Sequence, residues 1–166
     1  MKIIAGGVTA ASGFKANGMS CGIKKSGKPD LALIACDFPS AAASVFTQNS
    51  IKAAPVIVSQ EKMRTGKTQA ILINSGNANC FTGSFGLLYA RKSTELIAQL
   101  MNIECVHVLV ASTGIIGRPL PYKKIEEAAP LLVQGLSPQN GKKAAQAILT
   151  TDKKIKETAV EFLLGG

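Results

Sequence analysis

A mixed α and β fold is predicted by three features of the sequence: an aliphatic core composition, short β-favouring runs between turns, and segments whose apolar residues recur every three or four positions. Hydrophobic residues make up 46% of the 166 positions and charged residues only 17%, enough for one domain with its own core. Aromatic residues are 5% and Trp is absent. The core must therefore be built from Ala, Val, Ile and Leu, which suits a sheet packed against Ala-rich helices.

In chain order, residues 1–9 hold one Lys and a short apolar stretch interrupted by Gly6 and Gly7, which is neither a signal-peptide core nor a membrane span. Residues 15–28 are Gly-rich and polar, and 31–36 form the continuous apolar run of a buried strand. Residues 41–47 extend the sheet or turn beside it. Two further β-favouring runs, 56–59 and 69–73, flank the turn-like residues 64–67. The second feeds into Asn74-Ser75-Gly76-Asn77-Ala78-Asn79, which reads as a loop.

Leu87, Leu88, Arg91, Leu96, Ile97 and Leu100 follow helical spacing and predict an amphipathic helix over the sheet. Residues 106–110 read as a strand ending at Ser112-Thr113-Gly114, and 122–129 as a helix bent or broken at Pro130. Ser137-Pro138 resembles an N-cap with proline in the first turn, with Asn140-Gly141 delaying the helix to 142–149. Thr158, Val160, Phe162 and Leu164 alternate with polar neighbours, the pattern of a strand with one buried face. No internal repeat or linker divides the chain.

Nineteen basic against ten acidic residues give a formal charge of +9. The lysines are scattered in ones and twos with few aromatics between them, which argues against nucleic acid and membrane surfaces and for a solvated face or an acidic partner chain. Cys21, Cys36, Cys80 and Cys105 contain no C-x-x-C pair and His107 is the single histidine, so neither a zinc site nor a thioredoxin motif can be assembled. The cysteines read as small buried residues in a reducing compartment, and the chain as cytoplasmic.

Gly66-Lys67-Thr68 matches the end of a phosphate-binding loop, but Glu61 stands where its first glycine belongs, and the tripeptide reads as an exposed turn. His107, flanked by Val106 and Val108, is the single base a self-contained hydrolase could use and reads as structural. At the strand end, the Thr113 hydroxyl and Gly114 amide can converge on a developing oxyanion, or the segment is a simple turn. Asn74 to Asn79 fits an ordered polar loop or one that touches substrate. Thr150-Thr151-Asp152 either binds a polar substrate or terminates the preceding helix.

Several motifs then occur in order: Gly13-Phe14-Lys15-Ala16, the run from Lys24-Lys25-Ser26-Gly27-Lys28-Pro29-Asp30 through Ile34, Val45-Phe46-Thr47, and Lys52-Ala53-Ala54-Pro55-Val56. Asn74 to Asn79, residues 110–117 and Thr150-Thr151-Asp152 follow. Together they resemble the ornithine acetyltransferase family, also called bifunctional glutamate N-acetyltransferase, over essentially the whole chain. The resemblance implies an α-β-β-α sandwich shared with self-cleaving aminopeptidases. It implies that 1–166 is one domain, the α chain of a precursor that cuts itself before the Thr of an Ala-Thr-Met-Leu sequence. The separate β chain then carries that Thr as nucleophile, usually in an α2β2 assembly.

No such motif is present here, and the family's Gly-Gly-x-Ala-Lys-Gly-x-Gly-Met stretch, with its substrate-binding Lys, would begin at Gly165-Gly166. The implied reaction moves acetyl from N-acetylornithine to glutamate without a cofactor, and acetyl-CoA is a further candidate donor. Residue by residue, the resemblance assigns Thr113 and Gly114 to the oxyanion hole and Thr150 to substrate binding. Phe81 stands where the family commonly has Cys, and Lys153 where Thr or Asn is common. An aminopeptidase α chain of the related self-cleaving fold and a non-enzymatic ligand-binding domain are the alternative readings.

Overall fold

In the computed structural model, which describes residues 1–164, the elements are β1 (Lys2–Ile4), β2 (Phe14–Met19), β3 (Leu31–Ala41), α1 (Ala54–Lys62), β4 (Lys67–Asn77), α2 (Gly83–Met101), β5 (Val108–Ile115), α3 (Tyr122–Gln134), α4 (Gly141–Ala147) and β6 (Ala159–Glu161). Gly165 and Gly166, where the family's continuation would start, lie outside the described residues. Strands β2-β3-β4-β5 form one sheet, antiparallel except for the parallel pair β4–β5. A parallel pair needs a crossover, and α2 supplies it. β1 and β6 make a separate antiparallel ribbon with Ile3 opposite Val160. Among the described residues no helix is long and apolar enough to cross a membrane.

Alternation along the strands sends Leu31, Leu33, Ala35, Ala70, Leu72 and Val108 to one face, where they pack against Ile97 and Ala98 of α2 and Ile125, Ala129 and Leu132 of α3. Full burial of each Leu or Ile contributes about 1.5–3 kcal/mol. The buried stripe of α2 is made of small groups, Gly86, Ala90, Ser93, Thr94, Ile97 and Ala98 at helical spacing, whereas Leu88 and Leu100 remain exposed. On the opposite face α4 lies directly on β2: a Cβ at Gly18 would stand 2.1 Å from the Lys143 carbonyl oxygen. Here Ala144 and Ala147 meet Ala16 and Ala32, with Ile34 and Ile73 half-buried beside them.

Residues 56–59 are helical in α1, not a strand. Pro55 occupies the first turn, and Ala54, Pro55, Val58 and Ser59 turn inward at helical spacing. Ser59 fastens the helix to β5: its hydroxyl donates to the Val110 carbonyl at 2.6 Å and accepts from the Val110 amide at 3.0 Å. The Gly-rich stretch conceals strand β2, which lacks apolar alternation because Asn17 is buried with its amide donating to the Leu132 carbonyl at 2.9 Å. The expected loop at 74–79 is strand as far as Asn77, held by parallel pairing to β5. Residues 42–47 leave the sheet after β3 instead of extending it.

β5 starts at Val108 and runs through Ser112-Thr113-Gly114, and His107 belongs to the 3-10 turn before it, with its Nδ1 buried and unpartnered. α3 continues through Pro130 to Gln134, and the Ser137 side chain caps the 3-10 turn that precedes α4 rather than α4 itself. β6 has no buried face: Val160 and Phe162 are 45% and 55% exposed, because β1 pairs with it but no layer covers it. The four cysteines are half-buried free thiols, with Cys21 and Cys105 packed against the core. Of the tripeptide expected as an exposed turn, only Gly66, at φ 66°, ends a short turn; Lys67 and Thr68 open β4, and Thr68 is half-buried.

Candidate active site

The parallel strands β4 and β5 end side by side, with Ser75 opposite Thr113 and Gly76 opposite Gly114. A Cβ at Gly114, whose φ is 131°, would sit 2.4 Å from the carbonyl carbon of Gly76, so this approach requires glycine. A cleft of about 800 Å³ opens at this end of the sheet. It is lined by Thr113 and Gly114 of β5, Gly76 and Asn77 of β4, Lys24 and Lys25 of the loop after β2, Arg118, and Thr150 and Thr151 beyond α4. Thr113, Gly114 and Thr150, singled out separately in the sequence, therefore share one cleft. His107 and Gly66-Lys67-Thr68 do not line it, being at the other end of β4 and β5.

Asparagine side chains lock the strand ends. Asn74 Nδ2 donates to the Asn77 carbonyl at 2.8 Å while its Oδ1 accepts from the Ser112 hydroxyl at 2.6 Å. Asn77 Nδ2 reaches the carbonyls of Arg118 (3.2 Å) and Pro119 (3.1 Å), and its Oδ1 accepts the Asn79 amide at 2.8 Å. Asn79 Nδ2 donates to the Gly86 carbonyl at 2.9 Å, and its Oδ1 accepts from Thr82 at 2.8 Å. Both ends of each amide are engaged, so this run is an ordered polar scaffold, with Gly76 and Asn77 also at the cleft.

Beneath the cleft lies the fully buried Asp30, whose carboxylate accepts the backbone amides of Cys21 and Lys24, both at 2.7 Å. The Lys24 ammonium donates to the carbonyls of Pro29 at 2.8 Å and Leu149 at 2.6 Å. Partial burial lowers the Lys24 pKa, with Asp30 opposing that shift and Lys28 adding to it. Burial, reinforced by the charge of Asp30 and a hydrogen bond to it, pushes the Cys21 thiol up to about 12, so it remains un-ionised.

Among the described residues three cations, Lys24, Lys25 and Arg118, line the cleft and no carboxylate does, which favours a ligand carrying carboxylate groups. Lys24, Lys25 and Arg118, which line the cleft, were not singled out as site residues in the sequence, whereas Asn77 lies in the run already offered as touching substrate; the adjacent Lys24-Lys25 pair before a Gly-Lys turn was the available signal. Chemically the lining offers hydroxyl and amide donors but neither His nor Cys nor carboxylate. It can bind a ligand and stabilise developing negative charge.

A profile of the ArgJ family matches residues 15–166. An arginine biosynthesis bifunctional protein ArgJ from Gloeobacter violaceus is 49% identical over 98% of this chain and 40% of its own length. Another from Caldanaerobacter subterraneus subsp. tengcongensis is 44% identical over 100% of this chain and 41% of its own. The chain thus spans about two fifths of the length of these relatives. Among solved structures, ornithine acetyltransferase from Mycobacterium tuberculosis complexed with ornithine superposes with a TM-score of 0.89 at 39% identity, covering 92% of this chain and 84% of that one. The Bacillus halodurans ArgJ protein gives 0.84 at 38% identity, covering 90% and 78%. Fold and sequence agree along nearly the whole chain: it belongs to the ArgJ family.

Proposed function

We propose that this chain is the α part of an acetyltransferase that moves acetyl from N-acetylornithine to glutamate through an acetyl-threonine intermediate on a β chain cut from the same precursor. The observation that carries the reading is the cleft at the ends of β4 and β5, which Thr113, Gly114 and Thr150 line together with Lys24, Lys25 and Arg118. In the proposed reaction the N-terminal Thr of the β chain attacks the acetyl carbonyl, its own α-amine taking the hydroxyl proton. The Thr113 hydroxyl and Gly114 amide donate to the tetrahedral oxyanion. The C–N bond breaks, ornithine leaves with the proton, and the glutamate amine attacks the acetyl-enzyme in the reverse sequence.

Thr150 serves substrate binding, and the cationic lining suits substrates bearing carboxylates. Acetyl-CoA as a further donor, an α2β2 assembly and a cytoplasmic setting belong to the same proposal. In favour of a partner chain, Ile34, Ile71, Ile73 and Leu109 share a sheet face that α4 covers only at one side.

The test is Thr113→Val in the complete, processed enzyme, a change that keeps the β-branched shape and deletes the hydroxyl. Loss of an oxyanion donor should lower kcat about 100-fold to 1,000-fold with KM nearly unchanged. A kcat within about threefold of the parent, far short of that loss, would remove Thr113 from the mechanism.

A further inference from the structure

Lys24 joins the ends of β4 and β5 to the segment that carries Thr150, a link that its charge at the cleft does not account for. We propose that Lys24 is a positioning residue whose ammonium holds the Leu149 carbonyl, and through it sets where Thr150 stands in the cleft. This inference rests on the acyl-transfer reading, which gives Thr150 its substrate.

The anchor of the arrangement is Asp30. Its backbone amide donates to the Met19 carbonyl at 3.0 Å and its carbonyl accepts the Ser75 amide at 2.8 Å, so it is bolted to the end of β2 and to β4. Its buried carboxylate then fixes the Cys21 and Lys24 amides. From that fixed backbone the Lys24 stem crosses Gly76: a Cβ there would be 2.9 Å from Lys24 Cγ and 3.2 Å from Ile23 Cγ2. Gly76 pairs with Gly114, so Lys24 rests against the strand pair that bears the oxyanion donors.

At its tip the ammonium bridges Pro29 and Leu149, the second across 125 residues of sequence. Leu149 follows the last turn of α4 and directly precedes Thr150, where carbonyls have run out of helical donors. Among the described residues, only the Lys24 bond and the Ser75 hydroxyl to the Ala147 carbonyl tie the end of α4 and the segment after it to the sheet through side chains. The Ser75 bond ends on the helix, while the Lys24 bond ends next to Thr150. A lysine suits the post because its ammonium has three donors, enough to hold both carbonyls at once.

Lys24→Met in the complete, processed enzyme keeps the stem and removes the donors. The KM for N-acetylornithine should rise about 10-fold, the scale of one hydrogen bond to a charged group, with kcat within about threefold. If Lys24 acts through Thr150, Lys24→Met combined with Thr150→Ala should be no worse than the more severe single variant. Multiplied effects, or a fall in kcat at constant KM, would overturn the proposal. Should Lys24→Met not assemble, Lys24→Gln takes its place with the same expected split and the same overturning result. Hydrogen exchange separates this inference from the reading it rests on. Amides of residues 149–151 should exchange faster in the variant than in the parent, and equal exchange would overturn the tie whatever the kinetics. A parent that transfers no acetyl would instead sink the functional reading, leaving exchange to decide the tie alone.

Discussion

Leu72 and Ile71 are neighbours on β4 and occupy unlike surroundings. Leu72 is 1% exposed between Leu33, Val110 and the helices of the closed face, whereas Ile71 looks out half-buried beside Ile34 and Leu109. One face of the sheet is completed by this chain's own α1, α2 and α3; on the other, α4 covers β2 and β3 and leaves Ile71 and Leu109 half-buried around a hollow also lined by Phe46 and Pro55. The fully buried side chains gather on the first face, and the candidate cleft opens at the rim of the second.

The largest effect is expected where the two strands touch. Gly114→Ala places a methyl 2.4 Å from backbone at a φ of 131°, and should cost about 4 kcal/mol or more, leaving little folded protein on expression. Gly117→Ala, at φ 73° with nothing within 4 Å, meets only conformational strain of about 1 kcal/mol. Equal yields and melting temperatures for the two would show that the close approach of β4 and β5 is not what demands glycine.

Leu72→Ala should destabilise by about 2–5 kcal/mol in chemical denaturation, while Ile71→Ala costs the chain alone less than about 1 kcal/mol. If a partner covers the open face, the Ile71→Ala cost should grow in the complete protein and the Leu72→Ala cost should not. An Ile71 effect that stays the same in both would remove the partner from this face.

The mildest effect concerns Cys21, whose thiol is held near 12 against about 9.0 when unfolded. A raised folded pKa means that the protonated thiol favours the fold. Its contribution is fully present below pH 9 and is lost as pH rises from there toward 12. At pH 8, alkylation of Cys21 in the folded protein should be at least about tenfold slower than in urea, because so little thiolate is present. Equal rates would mean that Asp30 and burial do not control it.

Legibility followed the length over which a period repeats. α2 was readable because Leu87, Leu88, Leu96, Ile97 and Leu100 recur at helical spacing, although Leu88 and Leu100 prove exposed, and β3 because an uninterrupted apolar run of six residues needs two covered faces. Residues 56–59 are too few to distinguish the periods, and only the packing of Val58 and Ser59 against β5 selected the helix. β2 was hidden because its signal is the absence of side chains at Gly18, which makes sense once α4 lies on it.

By itself the sequence determined the mixed α and β class and the family resemblance, and that resemblance proposes Thr113, Gly114 and Thr150 as site residues. Class and resemblance follow from composition, local period and ordered motifs, all of which survive without contacts. The tertiary structure alone decided that these three share a cleft, that the asparagine run is a strand end rather than a loop, and that Lys24 and Arg118 stand beside them. The physical reason is distance along the chain. Lys24 meets Leu149 across 125 residues, and such a pairing is set by how β2, β4 and α4 stack, which no local pattern records.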